Sequence, residues 1–191
     1  MKGKGEKMDR LIGKDLFLGA LTREDCRTLW EQTEYDFEHP TEPPSIGLSP
    51  ENADRWFEEI QRDQGKRHVR LGIFLNDGRI IGDAALQDLD FRNRSCSVGM
   101  GIARASDRGK GYGKQALSLL LNYGFRILGF ERIWAATSGL NVGAQQSLLH
   151  SGFTPEGCER HALWLNGRYH DRLIYGMLRE EWETGRDTQT I

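Results

Sequence analysis

Arg108-Gly109-Lys110-Gly111-Tyr112-Gly113 is the most informative stretch of the sequence, because glycine occupies every second position. Alternating glycines let the main chain curl so that several N–H groups point at one anion. A strand-like run, Ser95 to Ile102, precedes the stretch, and a helical pattern runs from Lys114 to Leu128 after it. A helix N-terminus adds free N–H groups and partial positive charge. Strand, glycine loop and helix together predict a site for a ligand that carries a pyrophosphate.

Two other nucleotide-binding loops are excluded by spacing. A Walker-type loop needs four residues between its glycine and a Gly-Lys-Ser/Thr ending, whereas three separate Gly109 from Gly113, and Gln115 follows Lys114. The dinucleotide fingerprint Gly-x-Gly-x-x-Gly has one more residue before its last glycine. It also needs an acidic residue on a second strand, and the strand-like run Arg132 to Thr137 holds none. A glycine-rich turn without a ligand is the alternative.

The pattern Arg-x-x-Gly-x-Gly at residues 108–113 resembles the Arg/Gln-x-x-Gly-x-Gly/Ala signature of the GNAT superfamily of acetyl-CoA-dependent N-acetyltransferases. A second segment, Asn-Val-Gly-Ala at 141–144 followed by Ser-Gly-Phe at 151–153, resembles that family's Asn-initiated helix, which closes with Gly-Phe. The run Asn166 to Asp171 resembles the last hairpin of the ribosomal-protein and spermidine acetyltransferase branch. The similarity extends from Leu16 to Trp182 in element order.

This resemblance implies a single-domain α/β (α+β) fold, with a mixed, mostly antiparallel sheet of about seven strands flanked by helices. It implies that the glycine loop holds the pyrophosphate of coenzyme A, with acetyl-CoA as co-substrate and no metal. The residues implied in binding acetyl-CoA lie on the strand, the loop and the Asn helix: Met100, Gly101, Ile102, Arg108, Gly109, Lys110, Gly111, Tyr112, Gly113, Lys114 and Asn141. Capping of the helix is the alternative role for Asn141, and one side chain can do both.

Acetyl transfer to an amine requires a deprotonated nitrogen, fixed donors for the acetyl carbonyl and a stabilised leaving thiolate. Backbone N–H groups of Gly99 to Ile102 are the candidates for the carbonyl contact. The family often carries a Glu on this strand and a Tyr late in the Asn helix, but Ser97 and Leu148 occupy those positions. Ala144 stands where some relatives have a serine. Ser97, holding a water, and Ser147, approaching the thiolate, are the remaining catalytic candidates.

Other polar residues have both a functional and a structural interpretation. Asp83, Asp88 and Asp90 lie on the preceding strand, and one of them can face the acceptor amine, although solvated carboxylates are the alternative. His161 and His170 fall near the last hairpin, where a structural role is favoured. Five acidic residues favour either a cationic acceptor or a solvated face: Glu38, Glu42, Glu51, Glu58 and Glu59.

Length and charge agree with one acetyltransferase domain over residues 10–183, with polar, disordered ends at 1–9 and 184–191. The chain has 191 residues and a formal net charge of −2, which gives no electrostatic basis for binding nucleic acid. No run of transmembrane length is present, and the first seven residues lack the apolar run of a signal peptide. Three widely spaced cysteines favour a reducing compartment. We therefore expect a cytoplasmic monomer or homodimer without a membrane partner.

Hydrophobic periodicity and turn residues predict the order of the elements. The predicted strands are Leu16–Leu21, His68–Leu75, Arg79–Asp90, Ser95–Ile102, Arg132–Thr137, Cys158–Leu165 and Arg172–Leu178, with hairpin turns at Asn76-Asp77-Gly78 and Asn166-Gly167. Besides the helix after the glycine loop, three helices are predicted. The first is Arg23–Thr33, capped by Thr22 with Asp25; the second is capped by Ser49, has Pro50 as its first residue and ends at Asp63; the third is Asn141–His150. Glu38–Pro50 is predicted to be a loop.

The function predicted is direct, acetyl-CoA-dependent acetylation of a primary amine. Candidate acceptors are a protein N-terminus, a polyamine or another small amine such as an amino sugar, an amino acid or an aminoglycoside. The alternative is a non-catalytic module that binds or senses coenzyme A, because the usual glutamate and tyrosine are replaced.

Overall fold

The computed structural model describes residues 10–35 and 48–187. The predicted loop Glu38–Pro50 lies mostly outside this part of the chain, as do residues 1–9. The strands in it are β1 Leu11–Ile12, β2 Leu16–Gly19, β3 His68–Leu75, β4 Ile80–Asp90, β5 Ser95–Ile102, β6 Arg132–Ser138, β7 Thr154–Leu165 and β8 Arg168–Leu178. The α-helices are α1 Arg23–Gln32, α2 Glu51–Asp63, α3 Tyr112–Asn122, α4 Val142–His150 and α5 Arg179–Asp187.

One sheet contains all eight of these described strands, in the order β1-β2-β3-β4-β5-β6-β8-β7. Among its strand pairs, β5–β6 is parallel and the others are antiparallel. The predicted fold class, a mixed and mostly antiparallel sheet flanked by helices, is confirmed. The additional strand is β1, whose two residues pair with β2 and are too few to produce a periodic pattern in the sequence.

Helices pack on both faces of the sheet. On the face that we call the α3 face, Leu117, Leu120 and Phe125 are fully buried against strand residues such as Cys96 and Ile133. On the opposite face, which we call the α1/α2 face, a smaller cluster joins the first two helices to the strands; its members include Cys26, Leu29, Ile60, Phe74 and Ile80. The apolar stripe predicted after the glycine loop therefore does face the core.

Local signals explain where the first helices begin. At α1 the predicted capping box is present: Asp25 N–H donates to Thr22 Oγ1 at 3.1 Å, and Thr22 N–H donates to Asp25 Oδ2 at 2.9 Å. At α2 the predicted side-chain cap is wrong. Pro50 occupies the cap position without a side-chain hydrogen bond, and the Ser49 carbonyl accepts from Asn52 N–H at 2.9 Å.

Several element bounds differ from prediction. Helix α3 begins at Tyr112 rather than Lys114, so Gly113 lies inside the helix, and a π-helical turn, Tyr123–Ile127, replaces its last predicted turns. In the last hairpin, β7 begins at Thr154 rather than Cys158, and β8 begins next to the turn, at Arg168 rather than Arg172. Helix α5 was not predicted; it covers the core with Trp182, whose ring lies 5.3 Å from that of Phe125, and it continues into the predicted tail at 184–191.

Candidate active site

Strands β5 and β6 part from each other in the middle of the sheet. Their parallel pairing joins residues 95–97 to residues 132–134 and stops there. Beyond this point β5 continues to pair with β4, and β6 continues to pair with β8 as far as Ser138. The two strands therefore border an opening, with residues 98–102 on one side and 135–138 on the other. A gap of this kind exposes backbone groups that a continuous sheet would pair.

The hydrogen-bonding pattern of β5 decides which backbone groups face this opening. Ala103 N–H donates to the Ile81 carbonyl at 2.9 Å across the β4–β5 pair. Because the ladder alternates, Gly101 is paired toward β4, whereas the N–H groups of Met100 and Ile102 point toward β6 and hence into the opening. Of the three strand residues predicted to bind the ligand, Met100 and Ile102 thus present an N–H group to the opening, and Gly101 does not.

The glycine loop lies at the wide end of the opening and forms an open cradle. Gly109 and Gly111 have φ of 73° and 82°, and no atom lies within 4 Å of where a Cβ at either position would stand. Gln115 N–H donates to the Gly111 carbonyl at 3.1 Å as the first bond of α3. The N–H groups of residues 112–114 therefore precede any acceptor in the helix and are available to an anion.

Arg108 ties the cradle to the end of β5. Its Nε donates to the Ile102 carbonyl at 3.1 Å and its Nη2 to the Ala103 carbonyl at 3.3 Å. The sequence suggests a cation that projects toward phosphate, but these two bonds engage one edge of the guanidinium with the main chain. The side chain thereby fixes the position of the cradle relative to the opening.

An ion pair between buried Asp107 and the partly exposed Arg79 lies at the start of the loop. Asp107 is only 4% exposed and accepts two hydrogen bonds from the Arg79 guanidinium, at 2.7 and 3.1 Å. These bonds hold the pKa of Asp107 below its usual range. Lys110 Nζ lies 3.7 Å from the same carboxylate, and Lys114 is exposed on the first turn of α3. The charge of Asp107 is therefore neutralised, and the exposed lysines give the loop surface a positive charge.

Helix α4 starts at the same wide end of the opening. Asn141 is its N-cap, with Oδ1 accepting from Ala144 N–H at 3.0 Å, so the predicted capping role is confirmed and the amide nitrogen is the part that can serve a ligand. Ser147 is half-buried in the middle of the helix. No hydrogen bond within residues 10–35 and 48–187 joins Ser147 to Ser97, so the two predicted catalytic serines do not form a pair.

Ser97 lies at the closed end of the opening, on the α1/α2 face. Cys96 and Val98 point into the main core, so alternation places Ser97 on the other side of the sheet. Ser97 is 8% exposed, and its hydroxyl donates to Asp88 Oδ2 at 2.7 Å. Asp88 itself is exposed and has a φ of 50°, where the register of β4 shifts. A carboxylate from the neighbouring strand thus stands next to this serine.

Two further side chains of β4 reach over the glycines of β5. The amide nitrogen of Gln87 lies 2.7 Å from where a Cβ at Gly99 would stand, and Asp83 Oδ1 lies 4.0 Å from the equivalent position at Gly101. Any side chain at Gly99 would displace Gln87. The two glycines therefore make room on β5 for polar groups that belong to β4.

Asp83 is held by an ion pair on the α1/α2 face. Its Oδ2 accepts a hydrogen bond from Arg70 Nη1, and the guanidinium of Arg70 lies 5.8 Å from the centre of the Trp56 ring. Burial raises the pKa of Asp83, and the charge of Arg70 opposes that shift. Trp56 and Arg70 were not identified from the sequence; the signal at Arg70 is its place between Val69 and Leu71 in the strand pattern of β3.

The remaining predicted candidates have structural partners. Asp90 accepts from the N–H and the side-chain amide of Asn93 at 2.8 and 2.7 Å, which closes the turn before β5. His161, with a φ of 55°, donates its N–H to Asp171 Oδ1 at 2.9 Å. Arg160, His161 and Asp171 line a cavity of about 510 Å³ on the last hairpin. His170 is half-buried on β8 of the same hairpin.

The cysteine thiols are poorly suited to nucleophilic chemistry. Burial raises the pKa of both Cys26 and Cys96 to about 12. Cys158 is exposed; partial desolvation, and next the Asp171 carboxylate 3.5 Å from its thiol, raise its pKa. Within the described residues, no cluster of three or more His, Cys, Asp or Glu side chains could hold a metal ion. No helix in that part of the chain is long and apolar enough to cross a membrane.

Comparison with known proteins identifies the family. The acetyltransferase (GNAT) domain family matches the chain over residues 15–154. The chain therefore belongs to the GNAT acetyltransferases, and it is an N-acetyltransferase, as its relatives are named. It is 33% identical over 139 residues to "Putative ribosomal N-acetyltransferase YdaF" of Bacillus subtilis, a match that covers 71% of this chain and 75% of the relative. It is 26% identical to spermidine N(1)-acetyltransferase of Vibrio cholerae, over 84% of this chain and 91% of that protein.

Solved structures agree on the fold. RimL, named as the ribosomal L7/L12 alpha-N-protein acetyltransferase, superposes with a TM-score of 0.78 at 20% identity, covering 93% of this chain and 98% of that one. Mycobacterium smegmatis RimJ, solved in complex with a coenzyme A disulfide, gives a TM-score of 0.75 at 23% identity, covering 87% and 83%. These likenesses confirm the architecture, and they include a protein of this fold that binds coenzyme A.

Proposed function

We propose that the protein transfers the acetyl group of acetyl-CoA directly to a primary amine. The observation that carries this proposal is the opening between β5 and β6 together with the cradle that follows β5 at the start of α3. The opening presents the N–H groups of Met100 and Ile102, and the cradle presents further N–H groups and positive charge. A long, flexible ligand with a pyrophosphate at one end matches this distribution of donors.

The residues fit coenzyme A because the required groups are already exposed. Gly109 and Gly111 leave space for phosphate to approach the backbone, and both have positive φ, which other residues rarely adopt. Helix α3 supplies N–H groups, and the exposed lysines supply charge. We assign the pyrophosphate to residues 108–114, and the acyl-bearing arm to Met100 and Ile102 with Asn141 at the entrance. Gly101 lies between these two amides and allows close approach from the α1/α2 face.

Within this site, backbone amides of β5 polarise the acetyl carbonyl. The Met100 N–H faces the opening and is held by the sheet, so it needs little rearrangement as charge develops on the carbonyl oxygen. When bound, acetyl-CoA would supply the thioester that donates the acetyl group. Ser147, on the helix that borders the opening, is our candidate for contact with the departing sulfur.

Direct transfer is favoured over an acetyl-enzyme because a nucleophilic thiol is lacking among the described residues. The pKa values of Cys26 and Cys96 are raised to about 12, so these thiols stay protonated. Free rather than paired cysteines also favour a reducing compartment, and on that ground we place the protein in the cytoplasm.

We propose a protein N-terminus or a polyamine as the acceptor. The named activities of the relatives include ribosomal N-acetylation and spermidine N(1)-acetylation, and both acceptors are cationic amines. The acceptor side of β5 offers two carboxylates, Asp83 and Asp88, and the positive charge of Arg70 is neutralised by its ion pair with Asp83. A monomer or a homodimer without a nucleic-acid or membrane partner would suffice for this reaction.

Two measurements test the proposal in sequence. Thermal unfolding with and without coenzyme A tests the cradle, and we expect a higher midpoint with ligand. Thiol release from acetyl-CoA, with product mass, is then followed with spermidine and with a peptide that has a free N-terminal serine. Binding without turnover of any amine would favour the coenzyme-A-sensing alternative. The absence of a thermal shift at millimolar ligand would contradict both functions.

A further inference from the structure

We propose that Ser97 and Asp88 form a proton relay that takes the proton from the acceptor amine. This inference rests on the proposed function and assigns the acceptor half of that site. It starts from the location of Ser97, whose backbone is in the last β5–β6 pair before the strands part. Its side chain points to the α1/α2 face, which is the side free of α3 and the cradle. On this face the Ser97 side chain therefore borders the closed end of the opening.

Among the described side chains of β5, Ser97 is the polar one on that face that lies nearest to the opening. The next two positions on the same face are Gly99 and Gly101, which have no side chains. The Ser97 hydroxyl already donates to Asp88 at 2.7 Å, so one of its lone pairs is oriented away from that carboxylate. A nitrogen on the open side can therefore donate its proton to Ser97 Oγ.

The backbone conformation of Asp88 departs from that of a regular strand. Its φ of 50° is unfavourable for most residues, and it lies where β4 departs from regular pairing. This departure allows the carboxylate to turn toward Ser97 while remaining exposed to water. The other carboxylates of the strand are engaged elsewhere: Asp83 pairs with Arg70, and Asp90 closes a turn.

The proposed step balances atoms and charge. The neutral amine nitrogen forms a bond to the acetyl carbon, and the carbon–sulfur bond breaks with its electron pair leaving on sulfur. The nitrogen's proton passes to Ser97 Oγ as the hydroxyl proton passes to Asp88. Water then removes the proton from Asp88, or returns it to the thiolate, because the carboxylate is exposed.

The experiment compares single and double variants with acetyl-CoA and two probes, spermidine and a peptide with an N-terminal serine. Asp88→Asn is suited to the backbone, because Asn accepts positive φ more readily than most residues. We expect Asp88→Asn and Ser97→Ala each to lower kcat by about 100-fold. KM for acetyl-CoA should be unchanged, and the double variant should be no slower than the slower single one, since the two residues act in one relay.

Rescue separates the relay from a structural role. Ser97→Glu in the Asp88→Asn background places a carboxylate directly at the opening, and we expect it to restore kcat by about tenfold or more. The matched control in that background is Ser97→Gln, which should restore nothing. Asp90→Asn serves as a second control on the same strand and should leave kcat unchanged, because its contacts are confined to the turn.

Failure of the relay and failure of the proposed acetyltransferase function give different results. Thermal midpoints near that of the wild type show that each variant is folded. A wild-type enzyme that turns over a probe, with Asp88→Asn within about twofold of it, overturns the relay and leaves the acetyltransferase proposal intact. Failure of the glutamate variant to restore turnover also counts against the relay. A wild-type enzyme that acetylates neither probe overturns the proposed function and the relay with it.

Discussion

The two sides of the opening between β5 and β6, the proposed donor side and the proposed acceptor side, differ in the groups that they present. The donor side, formed by residues 100–102 and 108–114, consists mainly of backbone amides oriented by glycines and by the start of α3. The acceptor side consists of side chains from β3, β4, β5 and α2 that meet on the α1/α2 face. The donor side is therefore contained in one short segment, whereas the acceptor side is assembled from four elements.

This difference affects how each side tolerates change. A backbone amide persists under most substitutions, and it is lost only when φ and ψ change. A side-chain contact is lost when one residue is substituted. On the acceptor side, however, polar groups come from the neighbouring strand as well: Asp88 bonds to Ser97, and Asp83 lies beside Gly101. We therefore expect the donor side to depend on a few glycines, and the acceptor side to depend on pairs of polar residues.

The largest expected effect follows from changing the cradle itself. Gly111→Val places a β-branched residue at a φ of 82°, and it should lower affinity for coenzyme A by about 100-fold, as expected for the loss of two charge-assisted hydrogen bonds. Gly78→Val is the matched control, since Gly78 has a φ of 89° in an equally open hairpin turn. It should cost similar stability but retain affinity, as measured by calorimetric titration. Equal affinities in the two variants would contradict the cradle.

The second prediction concerns the ion pair on the acceptor side. Asp83→Asn leaves the Arg70 charge without its partner and should lower the free energy of unfolding by about 2 kcal/mol, less than for a fully buried pair. Arg70→Met combined with Asp83→Asn should recover part of that loss. Denaturant unfolding measures both. Affinity for coenzyme A should stay at the wild-type value, and a large fall would show that the two sides are not independent.

A smaller effect is expected from the link between the cradle and β5. Arg108→Met removes the two hydrogen bonds to the Ile102 and Ala103 carbonyls while retaining much of the side-chain length. We expect a roughly tenfold weaker affinity for coenzyme A, equivalent to about 1.4 kcal/mol. Arg104→Met is the matched control, because Arg104 is exposed and precedes the loop. Calorimetric titration measures the affinity of both variants for coenzyme A. An equal loss of affinity in the two would contradict the linking role of Arg108.

The smallest effect depends on pH. The pKa of Asp107 is lowered by the Arg79 hydrogen bonds, so this carboxylate stabilises the fold when ionised. That stability is fully present above the ordinary carboxyl pKa of about 4 and is lost as pH falls through the lower, folded-state value. Asp107→Asn should therefore reduce the free energy of unfolding by about 1 kcal/mol at pH 7. The difference from the wild type should narrow toward pH 3 in denaturant titrations, and a constant difference would exclude this cause.

The donor side could largely be predicted from the sequence. The alternating glycines, the strand before them and the helix after them are consecutive, and each is governed by local conformational preference. The hairpin turns and the capping box of α1 could be predicted for the same reason, because each depends on a few consecutive residues. The errors fell where local signals were absent or competing, as in the two-residue strand β1 and the π-helical turn that ends the third helix.

The acceptor side could only be proposed as a set of candidates. The sequence placed three aspartates on one strand, but it did not indicate that Asp90 closes a turn, that Asp83 pairs with Arg70 or that Asp88 turns toward Ser97. The irregular pairing of β4 decides this assignment, and no turn residue in the sequence marks it. Likewise Arg108 was expected to face phosphate, whereas two of its donors are used by carbonyls of the chain.

The sequence by itself therefore determined the glycine loop and the helix that follows it, because glycine conformation and helix N-termini act over a few consecutive residues. It also determined the family, since the cradle and the Asn-capped helix are short motifs. Only the tertiary structure decided where the sheet opens and which carboxylate meets the serine. These features depend on how strands that are distant in sequence pair and then cease to pair, and residue order alone does not specify the point where a ladder of hydrogen bonds ends.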